Sequence, residues 1–320
     1  MRKAFVQTLM DLAAADKRIL LLTGDLGYMV FEPFRERFPD RFLNAGVAEQ
    51  NMVGLATGLA EAGYLPYVYS IATFAALRPF EFIRNGPVLH RLPVRVVGMG
   101  MGFEYGHAGP THYALEDIGV LRTLPGLMVV APADGEQAAT ALRATALVPG
   151  PVYYSLGKSD GVAIENLNGH FEPGRLQVVR HGRDVAILSM GSVAVEAVAA
   201  AEKLAGRGIE ASVGIVSSFN PDPVADVAKF LSPFRCGISV EAQTVSGGLG
   251  AFAGGVIAAE GLHCRLRVLG VRTSPDGTSG RQEDRWRKHG LDRNGIFNTA
   301  LDLLGVATTL EAPVTAGAAG

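Results

Sequence analysis

The chain is most constrained by a rhythm. Short, continuously apolar runs, RILLLTG (18–24), LPYVYS (65–70), LPVRVVGMG (92–100), GLMVVAP (126–132) and PVYYSLG (151–157), alternate with helix-like segments at 2–15, 46–62, 74–90, 113–122 and 134–147. A strand that is apolar at every position is buried on both faces, and the intervening helices supply the covers, so the pattern predicts a parallel sheet in an α/β domain. Residues 158–181, KSDGVAIENLNGHFEPGRLQVVRH, break the rhythm with polar and turn residues. It restarts with DVAILSMG, IEASVGIVS, CGISVEA and RLRVLGV, with helices expected at 192–206, 222–232, 249–260 and near 293–304. The expected fold class is therefore α/β, with two consecutive parallel-sheet domains. They span 1–160 and 182–306, joined by a linker over 161–181 and followed by a small, polar tail over 307–320 expected to be disordered.

Composition narrows the partners. With 29 basic and 31 acidic side chains and no long run of either sign, neither nucleic acid nor an anionic membrane is expected as a partner. A small metabolite or another protein fits better. The opening MRKAFVQTLMDLAAADKR reads as an amphipathic helix containing acids, unlike a signal peptide. No apolar run approaches the roughly 20 residues of a membrane span. Cys236 and Cys264 lie in apolar stretches without paired spacing, which fits buried thiols in a reducing, cytoplasmic compartment.

Candidate chemistry starts with an acid. LNAGVAEQNMVGLATGLAEAG (43–63) reads as a small-residue helix, yet Glu49 stands near its start among Val47, Ala48, Met52, Val53 and Leu55. It can cap the first turn of that helix or serve as a working carboxylate. GDLG (24–27) and GMGMG (98–102) follow apolar strands, where open α/β sheets bind ligands, although ordinary turns use the same residues. GFEYGHAGPTHYALED (102–117) brings His107 and His112 to a strand end; both suit proton transfer or hydrogen bonding to hydroxyls, and His112 equally suits capping a helix expected to start at Tyr113. A metal site would need a third ligand, and Glu104, Glu116 and Asp117 lack a recognised spacing, so no metal ligand is assigned. Gly248, Gly250 and Ala253 form a G-x-G-x-x-A pattern that reads mainly as a tight strand-to-helix turn, since no acid ends a strand at the distance a dinucleotide fold needs.

Taken in order, GD-L, GVAEQNMVGLATGLAEAGYLPYV, TFAALRPFEFIRN and HAGPTHYALEDIGVLRTLPGLMVVAPAD resemble the pyrimidine-binding domain of transketolase-type thiamine diphosphate enzymes. SVEAQTVSGGLGAF and GVRTSPDGTSGRQEDRWRKHGLDRNGI resemble their C-terminal domain, so the resemblance covers about residues 1–305. It implies that Glu49 hydrogen-bonds N1′ of the cofactor's aminopyrimidine, sharing a proton so that the 4′-nitrogen can take one from thiazolium C2. A carboxyl group in a partly dry site holds its proton more tightly, which suits that task. The resemblance further implies that Phe74 stacks on the pyrimidine, that Asp25 lies near the cofactor or a subunit contact, and that His112 faces the donor sugar, with His107 as a second candidate.

Departures from the family matter. Ala108 stands where the family commonly has an acid that reads a substrate hydroxyl, and Leu156 where it often offers an arginine for a substrate phosphate. Arg78 and Lys158 are the candidates to replace that cation, or are solvated surface charges. No GDG motif of the kind that holds the diphosphate and Mg²⁺ occurs, and PDGTSG with Asn294 and Asn298 lies in the second domain without the preceding buried strand. The resemblance therefore implies the C-terminal half of a split transketolase, needing a partner N-terminal subunit for the diphosphate and Mg²⁺ in an assembly of two of each chain (α2β2). The implied reaction moves a two-carbon ketol unit from a ketose to an aldehyde, with sugars or sugar phosphates as substrates. A 1-deoxyxylulose-5-phosphate synthase-like half, a β-subunit of a 2-oxoacid dehydrogenase and a non-catalytic partner half are the alternatives.

Overall fold

A computed structural model describes residues 1–273 and 276–306. The tail expected over 307–320 lies outside the described residues. The first part of the chain runs α1 (Arg2–Ala15), β1 (Ile19–Thr23), α2 (Glu32–Arg37), β2 (Phe42–Asn44), α3 (Glu49–Glu61), β3 (Leu65–Ile71) and α4 (Ala72–Leu77). It continues through α5 (Phe80–Ile83), β4 (Arg95–Met99), α6 (Asp117–Leu121), β5 (Met128–Val130), α7 (Gly135–Thr145) and β6 (Val152–Leu156). The second part holds β7 (Leu176–Arg180), β8 (Val185–Ser189), α8 (Ala194–Ala205), β9 (Ala211–Val216), β10 (Ser218–Phe219) and α9 (Val224–Leu231). Then come β11 (Cys236–Thr244), α10 (Leu249–Ala259), β12 (Arg265–Val271), α11 (Gln282–Lys288) and α12 (Arg293–Leu304).

Two sheets result, with strand orders β10-β5-β6-β4-β3-β1-β2 and β12-β11-β8-β9-β7. Every pairing is parallel except β10 with β5 and β7 with β9. Successive side chains of a strand face opposite ways, and in the first sheet both faces are apolar. Leu20, Leu22, Val68 and Val96 pack on one side with Met52, Val53 and Ala56 of α3. Ile19, Leu21, Tyr67 and Val97 pack on the other with Phe5 and Leu9 of α1 and Leu142 of α7. The same burial holds for Val185 and Ile187 of the second sheet, packed against Ala197, Ala200 and Leu204 of α8.

Several boundaries differ from expectation. The helix expected over 74–90 is broken into α4, α5 and a π-helical turn, Arg84–Val88, with Pro79 between α4 and α5 and Pro87 inside the π-helical turn, because a proline supplies no N–H to the helical ladder. The helix expected from 113 begins only at Asp117, since Ala114 is drawn into an antiparallel bridge with Gly102. The linker expected over 161–181 contains β7, which closes the edge of the second sheet against β9. Its half-exposed residues lack the continuous apolarity of an interior strand. Strand β10 crosses over to extend the first sheet, so the two sheets are tied by backbone hydrogen bonds. No helix among the described residues is long and apolar enough to cross a membrane.

Candidate active site

In the first sheet the chain leaves β1 for β2 on one side and returns through α3 to β3 on the other. Such a reversal opens a crevice at the carboxyl ends of the strands, where α/β sheets bind ligands. Glu49 is placed there as the first residue of α3, only 3% exposed. Its carboxylate does not cap its own helix; the preceding Ala48 has no side-chain cap to offer. It accepts hydrogen bonds from the Ser70 hydroxyl at 3.2 Å and from Arg78 Nη1 at 2.9 and 2.8 Å. Gly24 closes the crevice floor: a Cβ there would stand 4.0 Å from Glu49 Oε1 and 3.8 Å from Ser70 Oγ.

Phe74 and Arg78 are four residues apart, one turn along the same helical face, because Arg78 caps α4 while keeping helical dihedrals. The Arg78 guanidinium consequently lies 3.8 Å above the Phe74 ring. His112 meets the same ring edge-on at 5.1 Å between centroids. Glu49, Arg78, Phe74 and His112 thus form one contiguous group. Arg78, a candidate for substrate or a solvated charge, pairs with the buried Glu49 carboxylate and keeps its side chain 44% exposed.

The loop after β4 carries the histidines. Gly109 (φ 84°) reverses the backbone ahead of the Pro110–His112 turn, a conformation that favours glycine. His112 is half-buried, with Thr111 Oγ1 2.9 Å from its Nδ1, whereas His107 is exposed. Tyr105 links them, 6.5 Å from the His112 ring and 6.2 Å from that of His107. Lys158, just past β6, places its ammonium 4.1 Å over the Tyr105 ring. Burial pulls the Lys158 ammonium below its ordinary value, an effect opposed by nearby Glu104. Burial pushes the Glu104 carboxyl up to about 7, with its Oε1 shielded and unpartnered and its Oε2 accepting from the Lys158 backbone N–H. His107, Lys158, Glu104 and Arg281 line a cavity of about 250 Å³ beside the first group. A larger cavity, about 600 Å³, opens far from this chemistry between β7 and α9, lined by Val178, Arg183 and Phe230 among others.

Asp25 follows Gly24 at the end of β1 in a left-handed conformation (φ 57°). Its Oδ1 accepts from Asn44 Nδ2 and the Tyr28 hydroxyl, both at 2.9 Å, and these bonds hold its carboxyl below the usual range. Its side-chain partners are thus separate from those of Glu49, and the two acids occupy adjoining parts of the crevice. The G-x-G-x-x-A turn is filled from within. Glu241 of β11 accepts from the Leu249 and Gly250 amides at 2.7 and 2.8 Å, and a Cβ on Gly248 would fall 1.8 Å from Glu241 Oε2. Those amides have no room left for a phosphate. Cys236 and Cys264 are buried and unpaired. Among the described residues no group of three or more His, Cys, Asp or Glu side chains is placed to hold a metal ion.

Two family models account for nearly the whole chain: the transketolase pyrimidine-binding domain matches residues 1–161, and the transketolase C-terminal domain matches residues 174–296. The chain belongs to the transketolase family. It is 32% identical over 307 residues to one of the subunits of an apulose-4-phosphate transketolase from Phocaeicola vulgatus, covering 95% of this chain and 97% of that one. It is 34% identical over 273 residues to a 6-deoxy-6-sulfo-D-fructose transketolase subunit from a Clostridium species, covering 85% and 84%. A solved split-gene transketolase, described as an inactive β4 tetramer, superposes with a TM-score of 0.84 at 30% identity over 96% of this chain and 98% of that one. Within the transketolase family, the chain therefore corresponds to the subunit that carries the pyrimidine-binding and C-terminal domains.

Ser70 and Tyr105 were not singled out in the sequence. Ser70 sits inside an apolar run, and only its place at the carboxyl end of β3 marked it. Tyr105 lies within the histidine loop, where an aromatic two residues before His107 was the available signal.

Proposed function

We propose that this chain is the C-terminal subunit of a split transketolase that uses thiamine diphosphate to transfer a two-carbon ketol unit from a ketose donor to an aldehyde acceptor. The diphosphate and Mg²⁺ would be held by a partner subunit carrying a diphosphate-binding domain, in an assembly of two of each chain in the cytoplasm. The observation that carries this reading is Glu49, a carboxylate buried at the switch point and held by side chains beside the face of Phe74. These residues fit an aminopyrimidine, since a flat group above Phe74 can donate to Glu49. When bound, thiamine diphosphate supplies the nucleophilic carbon chemistry of ketol transfer.

The chain's own residues bind and orient. Glu49 would accept a hydrogen bond from N1′ and hold or release the proton there, in a site whose dryness strengthens that bond. Phe74 would fix the plane of the ring by stacking. His112, edge-on to Phe74, would hydrogen-bond a donor hydroxyl or move its proton. His107 and Lys158 stand further out, beside Tyr105, where the distal end of a sugar or sugar phosphate would lie. Ala108 offers no acceptor, so hydroxyl stereochemistry near it is read differently from family members with an acid there.

The test is to isolate the chain from its own cells with thiamine diphosphate and Mg²⁺ present, identify any co-purifying chain, and assay the complex. Ketol transfer between a ketose and an aldehyde supports the reading. Activity only with pyruvate and glyceraldehyde phosphate, or CO₂ release from 2-oxoacids without ketol transfer, replaces it.

A further inference from the structure

The geometry points to Arg78 as a removable placeholder for the cofactor's aminopyrimidine: in the free chain its guanidinium occupies the half-site between Phe74 and Glu49, and it must swing out before the pyrimidine can bind. This rests on the reading of Glu49 and Phe74 proposed above. A guanidinium is flat, cationic and rich in N–H donors. Here it lies 3.8 Å over Phe74, a stacking distance, while its Nη1 donates to both oxygens of Glu49 at 2.9 and 2.8 Å. Those are the two contacts the pyrimidine would make, a stack on Phe74 and a donor at Glu49. One ring face and one carboxylate cannot serve both groups at once, so their occupancies compete.

The arrangement answers a problem specific to a subunit made apart from the rest of its site. A carboxylate as buried as Glu49 is costly if left unpaired, and Ser70 supplies only one hydrogen bond at 3.2 Å. Arg78 neutralises it from within the same chain. The side chain can also leave: it is 44% exposed, it caps the end of α4 ahead of Pro79, and among the described residues it is held by Glu49 and Phe74 alone. Swinging it into water gives up those contacts without disturbing the sheet, and the incoming pyrimidine restores both. Arg78 therefore sets how tightly the pyrimidine is held without being part of the transfer chemistry.

The experiment titrates the full-length chain alone with thiamine and with 4-amino-5-hydroxymethyl-2-methylpyrimidine, by calorimetry or ligand-observed NMR. Arg78→Met is expected to bind the pyrimidine about tenfold more tightly than the unaltered chain, the size of one charge-assisted hydrogen bond or cation–π contact no longer displaced. Glu49→Gln and Phe74→Ala should remove the binding in either background. No gain in Arg78→Met, including undetectable binding in both chains, overturns the placeholder. Binding that strengthens in Arg78→Met yet ignores Glu49 and Phe74 overturns the underlying pyrimidine reading instead. Should Arg78→Met fold poorly, [15N]arginine spectra of the unaltered chain give the same decision. The Arg78 guanidinium signal, assigned by its loss in Arg78→Lys, should shift and lose its protection from exchange as pyrimidine is added; an unchanged signal at saturation rejects the displacement.

Discussion

Two buried glutamates, one in each half of the chain, stand beside the start of a helix and are satisfied by different kinds of partner. Glu241 is wholly buried and accepts the Leu249 and Gly250 amides at the start of α10. Those donors are backbone, so a ligand can replace them only by unwinding the turn. Glu49 is buried almost as deeply, but its donors are the side chains of Ser70 and Arg78, which rotate. The carboxylate whose partners can move is the one available to a ligand, and burial alone does not tell the two apart. This is why the glycine pattern around Gly248 and Gly250 is architecture, while the less conspicuous acid in α3 is the candidate catalytic residue.

The two glutamates should differ most in what their loss does to turnover. In the assembled enzyme, Glu49→Gln should lower turnover by about 10²- to 10⁴-fold, the range for removing a positioned acid–base group, while thermal stability and assembly stay intact. A rate near that of the unaltered enzyme would remove Glu49 from the mechanism. Glu241→Ala should do the reverse. It leaves two amides without their acceptor, so urea denaturation should show a loss of about 2 kcal/mol or more, while the activity of the molecules that remain folded changes little. Acid also separates the two glutamates. Burial raises the Glu241 carboxyl from its ordinary 4.5 to about 7, so between those pH values the folded chain binds a proton that the unfolded chain releases. The stability this group contributes is full below about 4.5, declines as pH rises, and is gone above about 7. Glu241→Gln should flatten that slope in melts run from pH 5 to 8, leaving the part owed to Glu104, whose carboxyl burial also raises to about 7, and to Asp117 and Glu116, which burial raises as well. An unaltered slope in that variant would show that Glu241 is not the titrating group.

What the sequence disclosed follows the same physics. The interior strands were legible because β1, β3, β4 and β6 are buried at every position and are therefore mostly apolar, with only Thr23, Ser70, Arg95 and Ser155 as polar exceptions. Strands β2 and β7 were not, because an edge strand is half-exposed and tolerates polar residues, and the two residues of β10 are too few for any pattern. Helix α2, six residues opening on Glu-Pro, offered one buried side chain, Phe34, and hence no periodicity. At the site, the apolar neighbours of Glu49 announced a buried acid. Its bond to Arg78 joins residues 29 apart across a strand and a helix start, and no local spacing carries that. The Lys158 contact with Tyr105 is hidden in the same way, since it exists only because β6 lies beside β4.

Movable partners mark two further groups, His112 and Asp25. The His112 ring is held through side chains, those of Thr111, Phe74 and Tyr105. His112→Ala should cost donor use about tenfold in kcat/KM, the worth of one hydrogen bond to substrate, with little change in melting temperature. Unchanged donor kinetics would confine His112 to packing. Asp25 is the hardest case and the smallest effect. Like Glu49 it is held through side chains, Asn44 and Tyr28, but it is only half-buried, so water screens whatever it contacts. Asp25→Asn keeps the left-handed backbone that asparagine tolerates. It should weaken the assembled enzyme's affinity for thiamine diphosphate no more than about fivefold, the limit for an exposed charge. A loss well beyond that would give Asp25 a direct hold on the cofactor and make exchangeable partners, more than depth of burial, the mark of a working carboxylate in this fold. No loss at all, with assembly intact, would confine Asp25 to ordering the turn after β1.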